Sequence, residues 1–363
     1  MIRSAAPERR YAILAEGRFA DSSAKTAHGL IRYGKDEVVC VMDSTLAGER
    51  VAGVLPDLGR DAPIVGTLEE ALELSPTSVL VGLAPAGGRL PEEWMETLRV
   101  AAEAGLEIVS GLHQRLAPEF PGKPVWDVRE PPEGIPLFSG EGFEVEPKVA
   151  LTVGTDSAIG KMTATLEIGR AATEAGLSPE FAPTGQTGVI IAGWGICVDA
   201  VVSDFVAGAS EQLVLEATRT SPDLILVEGQ GSLGHPAYSG VTLGLMHGSC
   251  PDCLILCSAD PHEEVFRGVP RPSSARIARL YEEVASLIKP APVVAVSLNT
   301  RGLDEEEARE LIAAVADETG LPAADPFRGS AAPILEAVLE ASKTRAVGIE
   351  SGVWKRTGRR KLP

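Results

Sequence analysis

Residues 151–163 read Leu-Thr-Val-Gly-Thr-Asp-Ser-Ala-Ile-Gly-Lys-Met-Thr, and this stretch decides the fold. An apolar run of Val149, Ala150, Leu151 and Val153 leads into Gly154. Gly160 and Lys161 follow, and a helical pattern runs from Lys161 to Ala175 before stopping at Gly176. Strand, glycine loop, lysine and helix form the layout of a phosphate cradle. The glycines let backbone N–H groups turn inward onto an anion, the helix start adds partial positive charge, and Lys161 reaches a phosphate oxygen. The residues expected to line the cradle are Gly154, Thr155, Asp156, Ser157, Ala158, Ile159, Gly160, Lys161, Met162 and Thr163. The loop is one residue longer than the common pattern, and Met162 stands where a Ser or Thr usually follows the lysine. The displaced hydroxyl of Thr163 is the candidate magnesium ligand.

A second signal lies at Asp223-Leu-Ile-Leu-Val-Glu-Gly-Gln-Gly231, where an apolar strand ends in Glu228. A carboxylate at such a strand end faces the loop and can hold magnesium directly or through water. Between the two signals, Pro183-Thr-Gly-Gln-Thr-Gly188 offers Thr184, Gln186 and Thr187 to a polar small molecule, or else forms a simple turn. Asp199 and Asp204 flank Ala-Val-Val-Ser and suit a metal, a substrate ammonium or helix caps. His235, seven residues past Glu228, is the candidate general base, against the structural role that lone histidines usually have. Cys250, Cys253 and Cys257 have a spacing that invites a metal reading. Cys253-Leu-Ile-Leu-Cys257 nonetheless reads as a buried strand, so these cysteines are expected to act as small apolar residues.

Composition narrows the function classes. A chain of 363 residues favours two domains. Aromatic residues make up 4%, so the core must be built from Ala, Val, Leu and Ile, as in parallel-sheet proteins. The formal net charge of −18 repels nucleic acid and anionic membrane, and neither is expected as a partner. An anionic ligand then needs a local positive pocket, which Lys161 can supply. No run of about twenty apolar residues is present, the first residues lack an apolar signal core, and five cysteines make an odd number. A cytoplasmic homo-oligomer is the expectation.

The first part of the chain alternates strand and helix signals: strands at Tyr11–Ala15, Glu37–Met42, Ser78–Val81 and Leu106–Ser110, helices at Ala24–Tyr33, Leu68–Leu74 and Pro91–Ala104. This rhythm implies a parallel sheet with right-handed crossovers. Asp43 ends the second strand, where an acid often meets a ribose, but no G-x-G-x-x-G follows the first strand. The expectation is a Rossmann-like shape without a dinucleotide. Residues 117–148 are rich in proline and glycine and read as a linker, although Trp126-Asp-Val-Arg129 is unusual for one. The predicted layout is α/β. A Rossmann-like domain spans residues 1–145, a doubly wound domain with the phosphate loop of P-loop NTPases spans 146–350, and a basic tail spans 351–363. In the second domain, strands are expected at Phe181–Pro183, Leu224–Val227, Cys253–Cys257 and Val293–Leu298, with helices around Gln212–Ala217, Ser274–Leu287 and Glu305–Glu318.

Gly154-Thr-Asp-Ser-Ala-Ile-Gly-Lys-Met-Thr163 together with Val227-Glu-Gly-Gln-Gly-Ser232 resembles dethiobiotin synthetase, with its G-T-D-T-x-x-G-K-T loop and V-E-G-A-G-G strand end. The chain more closely resembles the DgcN-like family. Gly154–Thr163, Thr184–Gly188, Asp199–Gly208, Val227–Tyr238 and Val241–Leu245 match five of that family's motifs in order, including the displaced threonine. The three cysteines are not part of that pattern. The resemblance implies a D-glutamate N-acetyltransferase that uses acetyl-CoA, with the loop cradling coenzyme A phosphates. His235, Glu228 and Asp204 are then the candidate catalytic groups, and Thr184, Gln186, Thr187 and Arg129 are candidates for holding the substrate carboxylates. The alternatives are an ATP- and magnesium-dependent ligase or kinase, with Thr163 and Glu228 on the metal, and a nucleotide-binding regulatory protein.

Overall fold

A computed structural model describes residues 8–83, 90–259 and 264–344. The chain forms two compact units. The first comprises Met1–Ile135 together with Pro183–Val202, and the second comprises Pro136–Ala182 and Ser203–Pro363. These compact units differ from the expected continuous second domain starting at residue 146: the chain changes unit ten residues earlier, and the segment carrying Thr184, Gln186 and Thr187 packs with the first unit. The predicted basic tail lies outside the described residues.

The first unit has a six-stranded parallel sheet of β1 (Arg10–Leu14), β2 (Glu37–Met42), β3 (Ile64–Val65), β4 (Ser78–Val81), β5 (Glu107–Ser110) and β6 (Val125–Asp127). Their spatial order is 3-2-1-4-5-6, the order of dinucleotide-binding folds. Helices α1 (Lys25–Tyr33), α2 (Val51–Val54), α3 (Leu68–Glu73) and α4 (Glu92–Glu103) connect the strands. Strand β6 contains Trp126 and Asp127, so the supposed linker at 117–148 contains an edge strand: Val125, Trp126 and Asp127 pair with Ile108, Val109 and Ser110. Asp127 then fixes the turn before it, since its carboxylate accepts from Leu116 N and Ala117 N. Asp43 is fully buried, and its two oxygens accept from Gly17 N, Phe19 N and Thr45 N. Backbone donors therefore take the carboxylate that a ribose would need, in keeping with the glycine-poor first loop.

The second unit has a six-stranded parallel sheet with spatial order 14-13-10-7-9-8. Its strands are β7 (Lys148–Gly154), β8 (Pro179–Ala182), β9 (Leu224–Val227), β10 (Cys253–Ser258), β13 (Val293–Leu298) and β14 (Ala323–Ala324), and β11 (Glu264–Phe266) and β12 (Val269–Pro270) form a separate hairpin. The helices are α5 (Lys161–Glu174), α7 (Val206–Ala217), α8 (Ser239–Ser249), α9 (Ser274–Ala285), α10 (Glu305–Thr319) and α11 (Ala332–Glu340), while α6 (Gln186–Ala192) falls in the first unit. On one face, Ala150, Leu224, Leu226, Cys253, Ile255 and Ala295 pack against Ile168 and Ala172 of α5 and Ile334, Leu335 and Val338 of α11. The alternate residues Leu151, Val153, Ile225, Leu254 and Val296 are equally buried and point the other way, so this sheet is covered on both faces. Cys253 sits in the core cluster and Cys257 packs with Ile159 and Ala164, each thiol pushed up to about 12 by burial. They pack as small apolar side chains. No described helix is long and apolar enough to cross a membrane.

Candidate phosphate-binding site

Parallel register brings the loop, Glu228 and the end of β10 to one edge of the second sheet. Gly154 pairs with Cys257, and Val227 pairs with Leu151, so Glu228 emerges beside the last turn of β7. The loop is folded tightly there. Thr155 N donates to Cys257 O at 3.0 Å, and Ser157 N donates to Asp156 Oδ1 at 2.6 Å. Ala158 adopts φ +55° and Gly160 φ +101°. Alanine in the left-handed region is strained, and such strain recurs at ligand clamps. No side chain caps α5 at Gly160, so its first N–H groups remain available to an anion.

Lys161 is 6% exposed, and its ammonium donates to the loop's own carbonyl, Asp156 O, at 2.7 Å. Burial lowers its pKa to about 8, while Cys257, Asp156 and Glu228 pull it back up. Glu228 is itself 4% exposed. Thr155 is fully buried, and among the described residues its hydroxyl has no hydrogen-bond partner. A cation resting on a neutral carbonyl and a buried loop hydroxyl with no partner among the described residues both suit a phosphate oxygen. Thr163 is half-buried, one turn into α5. Thr165, rather than Thr163, braces the helix: it donates to Lys161 O and meets Thr152 Oγ1 at 3.0 Å, and Thr152 in turn accepts from Gly229 N. Among the described residues no cluster of three or more His, Cys, Asp or Glu could hold a metal ion.

The Thr155 hydroxyl gives a direct test. Thr155→Val keeps the shape and removes an unpaired polar atom. It should leave the unfolding free energy unchanged or raised by about 1 kcal/mol, while weakening phosphate-ligand binding. Thermal melts with and without ligand separate the two effects, and a loss of stability without a change in binding would make the hydroxyl structural.

His235 is buried in the segment after β9. Ala237 N donates to its Nδ1 at 3.1 Å, which places the imidazole proton on Nε2. Its ring stacks on Tyr238 at 4.5 Å, with Phe266 edge-on at 6.1 Å. Asp204 is exposed in the turn that leads into α7. The remaining predicted residues lie in the first unit. Thr184 is fully buried, and the Thr187 hydroxyl meets Thr26 Oγ1 at 3.0 Å. Arg129 donates to Gln186 Oε1 at 3.2 Å and pairs with Asp199 at 2.8 Å. The two aspartates that flank Ala-Val-Val-Ser thus fall in different units, and Asp199 is the counter-ion of Arg129.

Two residues with a hand in the loop escaped the sequence reading. Tyr281 is buried on α9. Its hydroxyl donates to Gly154 O at 2.9 Å and accepts from Leu233 N at 3.1 Å, and so ties the loop's first residue to the segment after Glu228. The 3.6-residue period places it on the buried face with Ser274, Ile277 and Ala278, but nothing local reveals its partners. Arg271, 8% exposed, pairs with Asp156 Oδ2 at 3.2 Å. The prolines on both sides of it were its one visible sign.

Residues 136–335 match the family described as a domain of unknown function, DUF1611_C, P-loop domain. Residues 44–131 match its partner, DUF1611_N, Rossmann-like domain. A D-glutamate N-acetyltransferase of Tritonibacter scottomollicae is 38% identical over 75% of this chain and 84% of its own length. Another protein of that name, from a Pseudoalteromonas species, is 36% identical over 71% of this chain and 80% of its own length. The crystal structure of a DUF1611 family protein from Anabaena variabilis superposes with a TM-score of 0.86 at 40% identity, covering 92% of this chain and 99% of that one.

Proposed function

The chain belongs to the DUF1611 family, and from that premise we propose that it is an N-acetyltransferase that moves the acetyl group of acetyl-CoA to the amino group of D-glutamate. The observation that carries this reading is the 38% identity, spanning most of both chains, to a protein named for that activity. The phosphate loop supports it from the chemistry. Coenzyme A bears a diphosphate and a ribose phosphate, and a cradle of turned backbone, Lys161 and the Thr155 hydroxyl can hold such groups without any phosphoryl transfer.

Acyl transfer to an ammonium requires two protons to leave the nitrogen. One ends on the departing thiol and the other goes to solvent, so the products are the N-acetyl amino acid, the free thiol and one proton. Glu228 is buried at the strand end beside the loop, on the phosphate side of coenzyme A and a pantetheine arm away from the thioester, so we assign it to the cradle and give the first proton to water. His235, with its proton held on Nε2, supplies a hydrogen-bond donor for charge that builds on the carbonyl oxygen. Asp204 is open to solvent and takes no step in this scheme.

Thiol release from acetyl-CoA tests the proposal. Release that needs D-glutamate, fails with L-glutamate and is indifferent to ATP and magnesium is the expected result. Turnover that instead requires ATP and magnesium would move the chain to the ligase reading, with Thr163 and Glu228 on the metal.

A further inference from the structure

Among the described residues, four formal charges meet at the phosphate loop. Lys161 and Arg271 face Asp156 and Glu228, and each residue is more than nine-tenths buried. The sum is zero, so a phosphate ligand gains little attraction until one cation is released from its carboxylate. Lys161 already rests on a neutral carbonyl. Arg271 is the cation held by a loop carboxylate: its Nη2 lies 3.2 Å from Asp156 Oδ2, longer than the roughly 2.7–2.9 Å of a strong charge-assisted bond. The other oxygen of the same carboxylate takes the Ser157 N–H. One carboxylate thus holds a guanidinium and a loop amide, the two kinds of donor that a phosphate takes.

We propose that Arg271 is a phosphate-binding residue of this site and that Asp156 is the internal anion it leaves when the ligand arrives. The inference rests on the reading of the loop as a phosphate cradle. Pro270 and Pro272 fix the backbone on either side of Arg271, and Ser273 caps α9 directly after, accepting from Arg276 N. The main chain is therefore held, and the guanidinium can pass from carboxylate to phosphate by turning its side chain alone. The planar fork of a guanidinium suits two oxygens of one phosphate.

Titration calorimetry with coenzyme A and with inorganic pyrophosphate, on the whole chain and four variants, tests this. Arg271→Gln is expected to weaken both ligands by about tenfold or more, with Arg271→Lys between it and the parent. Asp156→Asn is expected to act in the opposite direction, binding as tightly as the parent or tighter. In turnover, Arg271→Gln should raise KM for acetyl-CoA and spare kcat. If Asp156→Asn weakens binding as much as Arg271→Gln does, Arg271 only braces the loop and the proposal falls. It also falls if Arg271→Gln binds normally while Lys161→Ala does not, and in that case the cradle reading survives. If the parent binds neither probe, both are wrong.

Discussion

Lys161→Met should abolish binding of any phosphate-bearing ligand and yet melt at a higher temperature than the parent. Burial holds the folded pKa near 8 against the ordinary 10.5, so keeping this lysine charged in the fold costs about 3 kcal/mol at neutral pH. Methionine fills a similar volume without a charge, and part of that cost returns as stability once the bond to Asp156 O is discounted. The sign with pH follows. Between pH 8 and 10.5 the unfolded parent binds the proton and the folded parent does not, so the parent gains stability across that window. The methionine variant lacks this gain. Ligand binding runs the other way, because a bound phosphate calls the proton back and affinity should fall as pH rises above about 8. Melts at pH 7 and pH 9.5, with calorimetry across the same range, check all three statements. A variant less stable than the parent at pH 7 would mean that the ammonium contributes to the fold.

Gly229→Ala should be among the most damaging single methyls in the second unit, and the one that strikes the phosphate-loop edge directly. A Cβ there would lie 1.8 Å from Thr152 O and 2.7 Å from Thr152 C, inside backbone rather than a flexible side chain. Strands β7 and β9 would have to separate at the very edge that carries the loop and Glu228, and the Gly229 N to Thr152 Oγ1 bond would break. We expect a loss of about 3 kcal/mol or more, with ligand binding lost alongside. Gly240→Ala, one helix away on α8, is the matched control. Nothing lies within 4 Å of its Cβ, and alanine should stabilise the helix by about 0.5–1 kcal/mol. Chemical denaturation of the two variants side by side decides the point, and equal effects would refute the packing argument.

The elements that could be read from the sequence were those whose signal is local. The strand before Gly154, the helix after Lys161 and the strand ending at Glu228 lie within a few residues of where periodicity put them. Strand β6 was hidden in proline-rich surroundings because an edge strand of three residues needs only a neighbour, Ile108–Ser110, to define it. The packing of the segment with Thr184 and Gln186 was hidden for a related reason. It follows a strand of the second sheet, but Val189, Ile190 and Cys197 find their apolar partners in the core of the first unit, a choice that no local pattern records. The proton on His235 Nε2 and the Asp156–Arg271 pair are likewise contacts between residues far apart in sequence or set by backbone geometry, and single-residue reasoning does not reach them.

The discontinuity of the first unit bears on the order in which the protein can be assembled during synthesis. Val189, Ile190 and Cys197 belong to the same core as Tyr11, Ile13 and Leu30, so that core is incomplete when Ile135 leaves the ribosome. Strand β7, the phosphate loop and α5 all emerge before the missing helix does. At about 5–20 residues per second the nascent chain spends several seconds with an apolar seat open on its first sheet. That is a window in which a chaperone or a neighbouring nascent chain can occupy it. A fragment that ends at residue 135 would keep the seat open permanently, and a self-sufficient version would need residues 183–202 grafted back on.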